Sequence, residues 1–65
     1  MDKLTELKEL HKNLKNGILN NDIILSYNLL YDNLTIEQVQ ELEYKQIVLK
    51  QAKRKIQAHI NLMDN

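Results

Sequence analysis

Between Thr35 and Met63 the chain contains neither proline nor glycine, and large aliphatic residues recur every seven positions, at Leu42, Leu49, Ile56 and Met63. A heptad repeat of this kind predicts one uninterrupted helix. At a rise of about 1.5 Å per residue such a helix spans about 40 Å, long for so small a protein. Its start is well marked. Thr35 is placed to cap the helix, Gln38 three residues on completes a capping box, and Leu34 can staple onto Val39.

This helix has two apolar sides. At 100° per residue, Leu42, Ile56, Ile60 and Met63 fall within about 40° of Leu49. Tyr44, Ile47, Ala58 and Leu62, with Ile36 at the start, lie roughly opposite. A single neighbouring arm covers one side only. The second side, with Tyr44, Ile47, Gln51, Ala58 and Leu62 as the expected interface, is therefore assigned to a homodimer in which the long helices meet in a helical bundle. The competing reading is that these are scattered exposed residues, which are ordinary on proteins. Size favours the dimer. A chain of 65 residues has a small core, and without cysteine it has neither disulfides nor thiolate metal sites to reinforce it.

The rest of the chain predicts shorter helices. In residues 2–16, Leu4, Leu7, Leu10 and Leu14 share one side, and Ile18 extends it. Asn16-Gly17 then reads as a helix end, because glycine adopts the left-handed conformation without steric cost. In residues 20–33, Asn20 could cap a second amphipathic helix bearing Ile23, Ile24, Tyr27, Leu30 and Tyr31. A continuous alternative exists. Leu4, Leu7, His11, Leu14, Ile18 and Leu25 keep a heptad phase straight through Gly17, so one long helix is available at a cost of about 1 kcal/mol for the glycine. The expected fold is all-α: one small domain, residues 1–65, with helices over 2–16, 20–33 and 35–63. It is a helical hairpin or a three-helix unit, with a break preferred at Gly17 and the shorter arms lying antiparallel to the long helix.

Composition argues against most chemistry. No apolar run approaches the ~18 residues of a membrane span, and no leader pattern opens the chain, so a cytoplasmic location and no membrane partner are expected. Abundant lysine, asparagine and isoleucine beside a single arginine suggest AT-rich coding, as in a low-GC bacterium or its phage. His11 lies on an apolar helix side and reads as a core histidine, and His59 reads as surface. Ser26 is the only serine, and no phosphate loop or paired-carboxylate motif is present. No catalytic residue, metal or cofactor is expected, and the chain is not read as an enzyme.

Charge is zero overall but unevenly placed. Residues 16–44 carry Asp22, Asp32, Glu37, Glu41 and Glu43 and no base, whereas 45–55 carry five bases and no acid. Lys50, Lys53, Arg54 and Lys55 form the candidate nucleic-acid contact. Against it, these four spread around the helix, with Lys55 directed away from the other three, and no aromatics interleave for base stacking. Acids early and bases late in one helix also suit its dipole, and Glu41 to Lys45 is a well-oriented i,i+4 pair. Leu49–Ala58 resembles the last helix of the small helical-hairpin family of the large ribosomal subunit. That family is strongly basic where this chain is neutral. The sequence therefore reads as a small protein-binding regulator, adaptor or inhibitor acting through helical surfaces. A nucleic-acid-binding dimer is the runner-up, and a structural subunit of a larger assembly the third reading.

Overall fold

The computed structural model describes residues 2–64, which form two helices of equal length, α1 (Lys3–Tyr31) and α2 (Ile36–Asp64). They fold back on one another as an antiparallel hairpin measuring 45 × 16 × 15 Å. The fold is all-α, as the periodicity predicts. The long C-terminal helix is present, and its capping box is made. Gln38 donates its backbone N–H to Thr35 Oγ1 at 3.1 Å, and Gln38 Oε1 accepts from the Thr35 N–H at 2.9 Å.

The break expected at Gly17 is not there. α1 runs through the glycine, so helices over 2–16 and 20–33 are replaced by one, and the three-helix alternative gives way to the hairpin. Gly17 has no positive φ, and Asn20 lies inside the helix rather than capping a new one. The physical reason lies in the heptad. Leu4, Leu7, His11, Leu14, Ile18, Asn21, Leu25 and Asn28 follow alternating spacings of three and four, and every one of them is half-buried. A seam with this spacing keeps facing its partner along the whole helix. Burial on both sides of Gly17 outweighs a propensity penalty of about 1 kcal/mol. The glycine also fits the seam, since a Cβ there would meet only Leu49 Cδ1, at an ordinary 3.7 Å.

α2 answers with the same spacing: Val39, Leu42, Gln46, Leu49, Lys53, Ile56, Ile60 and Met63. Only two of these are buried, Ile60 and Gln46, each at 6% exposure. Met63, expected to face inward, is exposed, because it sits at the open end where α1 has run out. The helix ends are tied locally. Asp2 caps α1 by accepting the Thr5 N–H at 2.8 Å. At the other end Asp32 takes the left-handed conformation (φ 47°) and donates its N–H to the Asn28 carbonyl. Asn28 Oδ1 then accepts the Leu34 N–H at 2.8 Å, which closes the four-residue turn.

Gln46 fixes how the helices lie against each other. Its Nε2 donates to the Ile18 carbonyl at 3.0 Å and to Asp22 Oδ1 at 2.7 Å. A polar side chain at one inward heptad position disfavours slipped registers, since any slip leaves it buried without partners.

Candidate functional site

Two surfaces stand out once the hairpin is closed. The first is apolar and lies on the outer sides of both helices. Tyr44, Ile47, Gln51, Ala58 and Leu62, the residues expected at an interface, are all exposed on the side of α2 turned away from α1. Tyr44 is 68% and Leu62 76% exposed. Beside Tyr44, a shallow hollow of about 230 Å³ opens between Lys45, Val48 and Leu49.

α1 contributes a stripe that periodicity had assigned to a covered face. Leu19, Ile23, Tyr27 and Leu30 are exposed on its outer side, and Tyr27 stacks on Tyr31 with ring centroids 4.4 Å apart. Reading residues 20–33 as a separate helix placed Ile23, Tyr27 and Leu30 inward. Continuing the phase of Leu4 and Leu7 through Gly17 would have placed them outward.

The second surface is a basic cleft. Lys50, Lys53 and Arg54 converge with His11 and Lys15 of α1, and Gln57 completes a concavity of about 330 Å³ open along one side. Lys55 is not part of it, in keeping with its expected divergence from the other three. α1's share of the cleft was missed. Its signal was available in the spacing Lys8, His11, Lys12, Lys15, which runs along one side of α1 at steps of three and four. Lys53 and His11 occupy inward heptad positions and are half-buried, so the cleft reaches into the seam itself.

The charge halves seen in sequence become spatial halves in the hairpin. Residues 1–17 and 50–65 together hold eight of the nine cations and four of the nine acids, while 18–49 hold one cation and five acids. Folding thus brings opposite charge to the two ends of a 45 Å rod. Two ion pairs occur among the described residues: Lys8–Asp64 at 3.7 Å between the helices, and Glu41–Lys45 at 3.3 Å within α2. Neither involves a residue lining the cleft. Among the described residues no group of three or more His, Cys, Asp or Glu side chains could hold a metal ion, and no helix is long and apolar enough to cross a membrane.

No family model, curated protein or solved structure matches the chain. Its surfaces must speak for its function.

Proposed function

We propose that this protein is a binding module that works as a homodimer through α2 and engages a further protein through its remaining apolar surface. It acts as a regulator, adaptor or inhibitor, by binding rather than by catalysis. The observation that carries this reading is the amount of surface left uncovered. The hairpin exposes 5323 Å². A compact monomer of its mass, 7.7 kDa, exposes about 4,300 Å². The excess of about 1,000 Å² matches the ~800 Å² that each partner contributes to a standard interface.

The second copy fits α2 in one arrangement best. Laid antiparallel and centred between Ile47 and Val48, the outer face of α2 pairs Ile47 of one copy with Val48 of the other. Tyr44 then meets Gln51 of the other copy, and Glu41 comes level with its Arg54. The centre is apolar and the flanks are oppositely charged, which is what an isologous interface needs. The charge halves of the rod support the same direction, because antiparallel copies bring each half toward its opposite. The exposed Tyr27–Tyr31 pair on α1 is left for a different partner, as clustered aromatics dominate many interfaces.

Light scattering tests the dimer directly. The expected mass is twice 7.7 kDa, reverting to the single mass in Ile47→Glu with helicity retained. A wild-type monomer at high micromolar concentration would overturn the reading.

A further inference from the structure

The basic cleft has no explanation in the stability of the hairpin. Lys53 and His11 take seam positions that Leu49 and Ile56, and Leu7 and Leu14, occupy in the adjoining turns, and Lys15, Lys50 and Arg54 stand around them. Among the described residues no carboxylate lies within ion-pairing distance of these cations, although the chain carries nine acids. Like charges gathered around a partly desolvated site destabilise a fold. Four of the nine acids share this end of the rod with eight of the nine cations, and none of them is set against the cleft. From that juxtaposition we propose that the cleft is a binding site for a compact multi-phosphate anion.

The donor set suits such a ligand. Arg54 offers a planar fork that can take two phosphate oxygens at once, and Lys15, Lys50 and Lys53 offer point charges around it. Gln57 adds a neutral donor, and the His11 ring adds another on the floor of the cleft. The three lysines and the arginine can balance a ligand of three or four negative charges. At about 330 Å³ the cleft is at the small end of ligand-site volumes, room for a few phosphoryl groups.

Size and charge also favour a compact anion over a nucleic-acid strand. A strand extended along the rod leaves the cleft and meets Glu43, Asp22 and the rest of the acidic half. No aromatic side chain lines the cleft to stack a base. A small oligophosphate meets the cations alone.

The test uses tripolyphosphate as probe, at constant ionic strength maintained with sodium chloride. Amide chemical shifts of the labelled protein should move saturably around His11, Lys15, Lys50, Lys53 and Arg54, and the melting midpoint should rise with ligand as linkage requires. Lys53→Met keeps the aliphatic stem and removes the charge. It should melt higher than wild type without ligand and bind tripolyphosphate about tenfold more weakly or worse, the loss expected for a charge-assisted bond. Lys3→Gln removes a charge away from the cleft and should leave the affinity unchanged. Shifts that scale with salt rather than saturate would overturn the proposal. So would an equal loss of affinity in Lys3→Gln, or tighter binding of a DNA duplex than of tripolyphosphate at equal phosphate concentration. Should Lys53→Met fail to fold, Lys15→Gln, on the exposed rim, supplies the same comparison.

Discussion

The two halves of the rod are built from the same seam and present opposite surfaces. The half near the turn, residues 18–49, carries ten of the thirteen exposed large apolar side chains among the described residues, and most of the acids. The half with the chain ends carries three of the thirteen and nearly all of the cations. Apolar area gives affinity for another protein surface, while a cluster of cations gives affinity for an anion. The hairpin thus separates an apolar, acidic half from a cationic half along its length. The turn half also has its own tethers. Gln46 sets the register there, and Asn28, Thr35 and Gln38 tie the turn.

The largest expected effect contrasts covered with uncovered apolar residues. Ile60→Ala should cost about 2–5 kcal/mol, since Ile60 is the one buried aliphatic side chain among the described residues. Leu29→Ala, at 86% exposure, should stay within about 0.5 kcal/mol. Urea melts of the two variants decide it, and equal losses would mean that Leu29 is covered in solution.

Next comes the interface. Ile47→Glu should halve the mass in solution and lower stability in proportion to protein concentration, because dimer stability is linked to concentration. The matching change in the other half, Leu62→Glu, lies beyond the central crossing and should leave most of the dimer intact. If Leu62→Glu is the more disruptive, the copies overlap through their chain ends instead.

Gly17→Ala should stabilise the hairpin by about 1 kcal/mol. The backbone there is ordinary helix, and the added methyl finds Leu49 Cδ1 at 3.7 Å. Destabilisation would show that the seam is tighter at the midpoint than the hairpin geometry allows.

The smallest effect concerns Asp2 and acid. The hydrogen bond from the Thr5 backbone N–H, with the Thr5 side chain next, holds its carboxyl below the ordinary value of 3.8. A carboxyl whose pKa is lowered on folding contributes stability above its unfolded value, and that contribution fades as pH falls through the lowered one. Amide exchange at Thr5 should therefore quicken in that acidic window, and Asp2→Asn should remove the pH dependence while keeping a cap.

What could be read from the residues, and what could not, divides along a physical line. The heptad of α2, its capping box and the Glu41–Lys45 pair were legible because each depends on residues within one or two helical turns. The outward placement of Tyr44, Ile47, Gln51, Ala58 and Leu62 followed from the same periodicity. Gly17 was misjudged for the opposite reason. Its local signal is a helix end, and what overrides it is burial against Leu49, thirty-two positions away. Gln46 carries no local signal of its role, because its partners, the Ile18 carbonyl and Asp22, come from α1. The basic cleft is of this second kind too. Lys50, Lys53 and Arg54 were visible as a run, but His11 and Lys15 join them only when α1 returns alongside. Sequence determined the helices and which of their sides are apolar, since those follow from backbone period and local capping. Tertiary structure decided the length of the first helix, its register against the second, and which charges share a cleft, because each of these rests on energies between residues far apart in the chain.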